Sequence, residues 1–153
     1  MDLGRLLKWI VILALVVFAW KVVWPWVQKE SGGVGGKHGA SATDSACVKA
    51  AERASLGWGD GLSRFVNPPY DLSAWDSHRD RTYERISSAQ SACNCEKESC
   101  RKAKEAMNDL RAIVSDMDGA IRNGGPPPDG LVQKQESVDS MIDDAREEAA
   151  KGN

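Results

Sequence analysis

The chain has 153 residues, at most one domain's worth, and its charges nearly cancel at a formal net charge of -2. Residues 1–30 hold Arg5, Lys8, Lys21 and Lys29 against Asp2 and Glu30, a surplus of +2 that leaves -4 for the remainder. A mildly acidic body with no basic stripe after residue 40 argues against nucleic acid as a partner, because neutralising phosphates takes a concentrated basic surface.

Apolar residues are unevenly spread. From Leu6 to Val27 almost every side chain is apolar. At 1.5 Å per residue this stretch of about 22 residues spans roughly 33 Å, enough for a hydrocarbon core of about 30 Å. Lys8 and Lys21 lie near its ends, where they can snorkel to headgroups. Trp9 on one side, with Trp20, Trp24 and Trp26 on the other, has the pattern of an aromatic belt. A cleavable signal peptide is the rival, but the residues after Trp20 are Lys-Val-Val-Trp-Pro-Trp, a poor cleavage site. The nearest A-x-A pattern is Ala40-Ser41-Ala42, far downstream. The expectation is an uncleaved transmembrane signal-anchor helix over 6–27, with residues 1–5 cytoplasmic. Arg5, Lys8 and the terminal amine favour that orientation, and Lys21, Lys29 and Lys37 weaken it.

Residues 28–41 include SGGVGGKHG and read as a flexible glycine-rich tether. Beyond it, Leu, Ile, Val and Phe supply only about one residue in eight, below the roughly 20% at which a chain tends towards disorder. Such a thin core calls for a staple. All four cysteines, Cys47, Cys93, Cys95 and Cys100, lie in this region.

The pattern over 42–150 is helical throughout, which makes the expected fold all-α, a small disulfide-stapled bundle or hairpin. Ser41 and Asp44 form a capping pair for a first helix over about 42–56, halted at Gly57. Gly57 to Leu72, GWGDGLSRFVNPPYDL, is expected as loop. Trp58, Leu62, Phe65, Val66 and Tyr70 are too apolar for a free loop. They either plug the open end of the core or, with Trp75, form a partner surface of Trp58, Phe65, Tyr70 and Trp75, since aromatic residues dominate interface hot spots.

Ser73 and Asp76 suggest the start of a second helix, about 73–93. Its stripe of Trp75, Arg79, Thr82, Ile86, Ala89 and Cys93 alternates spacings of four and three. A third helix, about 99–123, carries Cys100, Ala103, Met107, Leu110, Val114, Met117 and Ile121, and stops at Gly124-Gly125 and three prolines. Asp129 is placed to cap a fourth, about 129–150, with a face of Leu131, Val138, Met141, Ile142, Ala145 and Ala149. The second and third helices share one heptad register, so a single long helix is the alternative. Asn94 and Ser99, both good caps, favour a break between them.

Four cysteines allow three pairings. If the first two helices run antiparallel, Cys93 returns to the level of Cys47, and Cys95 can close the turn with Cys100. The preferred pairs are therefore Cys47–Cys93 and Cys95–Cys100, with Cys47–Cys95 and Cys93–Cys100 as runner-up. A metal site is the sharper alternative, but C-x-C-x4-C lacks the paired C-x2-4-C ligands of structural zinc. A thiol-redox centre would normally show C-x-x-C, which is absent.

His38 lies in the tether. His78, within DSHRDR, is flanked by acids yet has no nucleophile at a defensible spacing. Neither a P-loop nor a dinucleotide fingerprint occurs. The chain is therefore expected to be a non-enzymatic, membrane-anchored, extracytoplasmic interaction or scaffold protein. It should need no cofactor, hold the membrane through residues 6–27, and meet a protein partner through the aromatic surface or the third and fourth helices. The alternative is a membrane-tethered metal or thiol-redox domain.

Overall fold

A computed structural model of the chain describes residues 42–152. The expected anchor, 6–27, and tether, 28–41, lie outside the described residues. Among the described residues no helix is long and apolar enough to cross a membrane.

Four α-helices and one short 3-10 turn make up this region, with no strand among the described residues. They are α1 (Ala42–Leu62), the 3-10 turn (Ser63–Phe65), α2 (Leu72–Ala92), α3 (Glu98–Arg122) and α4 (Leu131–Lys151). The order is up-down-up-down. Glu52 meets Arg146 while Ser55 meets Asp139, so α1 and α4 are antiparallel. Lys102 pairs with Asp144 and Lys134 with Asp116, which makes α3 and α4 antiparallel as well. Both α1 and α3 touch every other helix, whereas α2 and α4 barely meet. The bundle is thus flattened along one diagonal. The buried stripe of α1 is Cys47, Val48, Ala51 and Ala54, and α3 answers with Ala103 and Ala106. These small side chains let the two backbones approach, which is how a chain poor in leucine closes a core.

The largest departure from sequence expectation is α1. It continues through Gly57 to Leu62 where a halt and a loop were expected. Each helical glycine costs about 1 kcal/mol relative to alanine. The gain is burial in phase: Cys47, Ala51, Ala54, Trp58 and Leu62 follow at helical spacings, and Trp58 is fully buried. Three glycines therefore cost about 3 kcal/mol, and burying Trp58, worth about 2–3 kcal/mol, offsets this together with the partly buried Leu62.

Two of these glycines also face close neighbours. A Cβ at position 61 would stand 2.1 Å from Cε1 of His78, and one at position 57 would stand 1.8 Å from a terminal nitrogen of Arg85. The bare backbone of α1 thus forms a shallow channel against which α2 lays His78 and Arg85.

The break between α2 and α3 lies within the expected interval, but the caps differ. Asp71, not Ser73, caps α2, its carboxylate accepting from the Ala74 N–H at 3.0 Å. Lys97 precedes α3, and Ser99 is buried inside its first turn. At the other end of α3, Gly124 takes a φ of 66°. The Gly125 N–H reaches the Ala120 carbonyl and the Gly124 N–H that of Ile121, the paired closure of a Schellman end. The left-handed Gly130, not Asp129, precedes α4, which begins two residues later than expected.

Glycine substitutions in α1 separate the two roles. Gly61→Ala pushes into an imidazole packed among rings and should lower stability by about 1–3 kcal/mol. Exposed Gly59 has open space, so Gly59→Ala should raise stability by about 0.5–1 kcal/mol. Chemical denaturation of the two variants checks this; equal effects would refute the close approach at Gly61.

Candidate functional site

Two clusters sit at opposite ends of the α1–α2 hairpin. The first is the cysteine cluster. Cys47, near the start of α1, is bonded to Cys93, the residue after α2, and both are buried. Their Cα atoms are 4.5 Å apart across 46 positions of sequence. Cys95 is bonded to Cys100 and closes the turn into α3. Among the described residues no cysteine is free.

Asp44 lies one turn before Cys47 and is fully buried. It forms a 2.9 Å ion pair with Lys97, the residue that introduces α3. Its Oδ1 also lies 3.4 Å from Sγ of Cys95. This is a contact, not a hydrogen bond, because a bridged sulfur carries no hydrogen. A carboxylate in the first turn of α1 is also favoured by the helix dipole. The segment 95–100 is thereby held to α1 by charge as well as by the chain.

One oxygen of Asp44 and the sulfurs of Cys95 and Cys100 lie within 4.8 Å of one another. That is ligand spacing, but metal ligation needs thiolates, and both sulfurs are committed to a bond with each other. Cys47 and Cys93 do not join this group.

The second cluster is aromatic. Trp58, Phe65 and Trp75 are buried, so these three are not the partner surface that the sequence allowed; they are the plug. Trp75 meets Trp58 and Phe65 edge-on, with centroids 6.0 and 5.2 Å apart. Three rings without charge bury more apolar area against each other than they could leave exposed in a loop, which is why they turn inward. Tyr70 is half-buried, and its hydroxyl donates to the Gly125 carbonyl at 2.7 Å, tying the α1–α2 connection to the end of α3.

His78 belongs to this plug. Its ring stacks on Trp58 at 5.4 Å and on Phe65 at 5.7 Å. Burial first, and then the nearby positive charge of Arg81, hold its pKa below the ordinary histidine value. A hydrogen bond with the Trp58 backbone opposes them, and Arg85 and Arg64 add to the lowering. The imidazole is therefore neutral at pH 7.

The acids of DSHRDR serve a different set of partners. The Trp75 indole donates to Asp118 at 2.8 Å. Arg79 reaches Asp118 at 3.1 Å and Asp76 at 2.9 Å, and Arg122 bridges Asp118 and Asp76. Burial pushes the Asp118 carboxyl up, but hydrogen bonds from Trp75, Arg122 and Arg79 outweigh it and hold the pKa below the usual value.

Beside His78 lies a hollow of about 240 Å³ lined by Gly57, Asp60, Gly61, Arg64, Arg81 and Arg85, among others. This gathering is not visible in sequence. Arg81 and Arg85 share a face of α2, but Arg64 comes from the 3-10 turn, and only the extended α1 brings it alongside. The clue available was that Gly57 and Gly61, four apart, share one helix face, as do His78 and Arg85, seven apart.

The chain matches no protein-family model, no curated protein and no solved structure. Its chemistry must be read from its own residues.

Two measurements follow. By loop entropy, Cys47–Cys93 stabilises by about 4 kcal/mol and Cys95–Cys100 by about 2 kcal/mol. The double variant Cys47→Ser/Cys93→Ser should therefore lower the melting temperature well beyond Cys95→Ser/Cys100→Ser; the reverse order would show that the turn, not the hairpin, carries the staple. The Asp118 contribution is complete above the ordinary carboxylate pKa and disappears as pH falls through the depressed folded value. Between pH 5 and pH 2 the native protein should lose more melting temperature than Asp118→Asn, and identical losses would remove that network from the acid response.

Proposed function

We propose that the chain is a single-pass membrane protein that presents a disulfide-stapled helical bundle outside the cytoplasm as a non-enzymatic interaction module. The observation that carries this reading is the pairing of all four cysteines in two disulfides, since such bonds persist in oxidising compartments. The apolar run 6–27 with its flanking tryptophans supplies the anchor in this reading, with residues 1–5 cytoplasmic and the bundle periplasmic or extracellular. The partner is a protein. With three of the four proposed aromatic contacts inside the plug, the remaining candidates are Tyr70, the exposed Val66 and Leu72 around it, and the outer faces of α3 and α4.

The approach of Asp44 to Cys95 and Cys100 favours one second reading, a metal or thiol-redox site that opens when the bridge is reduced by a dithiol.

Membrane fractionation with intact-mass measurement tests the first reading. The mature protein should retain residues 6–27 and leave the membrane only in detergent. A mature N-terminus downstream of Ala42 would overturn the anchor. Thiol titration of the native protein separates the two readings: no reactive thiol supports the structural bridges, and two free thiols, those of Cys95 and Cys100, would support the second.

A further inference from the structure

The hollow beside His78 gathers positive charge. Arg79, Arg101, Arg122 and Arg146 each hold a carboxylate. Arg64, Arg81 and Arg85 line one hollow, and among the described residues none of them has a carboxylate within ion-pairing distance. Asp60 is the one acid lining it. Like charges four apart on a helix repel, so Arg81 and Arg85 weaken α2 unless something answers them. Arg85 is also placed, its guanidinium lying where a Cβ at position 57 would stand.

An independent observation lies in the same wall. His78 is more than nine-tenths buried, and its Nε2 has no hydrogen-bond partner among the described residues. A buried polar atom without a partner costs about 1–3 kcal/mol. With the imidazole neutral and its other nitrogen engaged at the Trp58 backbone, Nε2 is an acceptor that lacks a donor. Three guanidinium groups therefore line the hollow, and one unpartnered acceptor lies buried in its wall. The hollow's volume lies below the roughly 300 Å³ at which sites for drug-sized ligands begin, so the ligand is small.

We infer that this hollow binds a phosphate-type oxyanion carrying a hydroxyl, with Arg64, Arg81 and Arg85 donating to its charged oxygens and Nε2 of His78 accepting from its O–H. Arginine suits the task because its planar fork gives charge-assisted, bidentate contacts to phosphate. Hydrogen phosphate and phosphate monoesters have both a dispersed charge and a hydroxyl at or just below neutral pH. Sulfate has the charge and the shape but no hydrogen to give, so the acceptor discriminates between them. This site needs neither the membrane anchor nor a protein partner.

The test is titration of the full-length protein, in neutral detergent at pH 6.5, with inorganic phosphate. Calorimetry is read together with the side-chain resonances of the two histidines. Binding should saturate at one site and shift the signals of His78 and not those of His38. Arg81→Gln and Arg85→Gln should each weaken it by about ten-fold, the loss expected for one charge-assisted contact. Arg53→Gln, outside the hollow, should leave it unchanged, and sulfate should bind more weakly than phosphate. Gly57→Ala provides a variant that keeps every charge: it displaces the Arg85 guanidinium from the α1 backbone and should also reduce affinity. Vesicles containing phosphatidic acid identify the source, since a lipid headgroup ligand competes with phosphate and a soluble monoester ligand does not; either result keeps the site. No saturable binding, or an affinity in Arg81→Gln and Arg85→Gln unchanged from the native protein, would overturn it. Sulfate binding as tightly as phosphate would overturn the acceptor role of His78.

Discussion

The covalent bond between Cys47 and Cys93 is the constraint on which the bundle depends. It joins the start of α1 to the end of α2 and so sets the register of the antiparallel pair. Every contact further along that hairpin inherits this register: Gly57 against Arg85, Gly61 against His78, Trp58 against Trp75. A core built largely from alanine and β-branched residues makes many small contacts, none of which alone selects one helix register over its neighbours. The cross-link limits the alternatives before packing begins, and the Asp44–Lys97 ion pair attaches the start of α3 to the same point.

The two ends of the hairpin solve different problems. At the cysteine end the buried side chains of α1 are small, Cys47, Ala51 and Ala54. At the opposite end the buried side chains are large rings, Trp58, Phe65, Trp75 and His78. An imidazole among rings is a polar group in an apolar place, tolerated only in its neutral form. The three arginines outside reinforce that state, since a second positive charge beside them is unfavourable. The plug and the hollow are therefore one construction: the glycines that admit His78 and Arg85 to the surface of α1 also shape the wall of the hollow.

Charge is distributed with the same economy. The acids on α2 and the end of α3 are shared among Arg79, Arg122 and the Trp75 indole, a network that locks α2 to α3. Glu52 with Arg146, and Ser55 with Gln135 and Asp139, clamp α1 to α4. Surface ion pairs of this kind contribute little individually. Their pattern matters more than their sum, because it leaves one group of arginines unanswered on a protein that is acidic overall.

Much of the fold could be read from the residues. The all-α character, the stripes of α3 and α4 and the interruption between α2 and α3 all follow from local periodicity, caps and glycine–proline stops, which act within a turn or two of the chain. The pairing of Cys47 with Cys93 could be argued because an antiparallel hairpin makes their levels coincide. What local signals could not decide was any competition between a local cost and a distant gain. The glycines after Leu56 predict an end to α1, but the burial of Trp58 against α2 and the packing of Leu62 on the core offset them, and no window of sequence contains both sides. For the same reason Trp58, Phe65 and Trp75 could be read as either surface or plug until the extended α1 gave them a wall to pack on. The arginine-lined hollow lies furthest from the sequence: Arg64, Arg81 and Arg85 are unremarkable residues in three separate turns of chain, and only tertiary structure gathers their charges beside one buried acceptor.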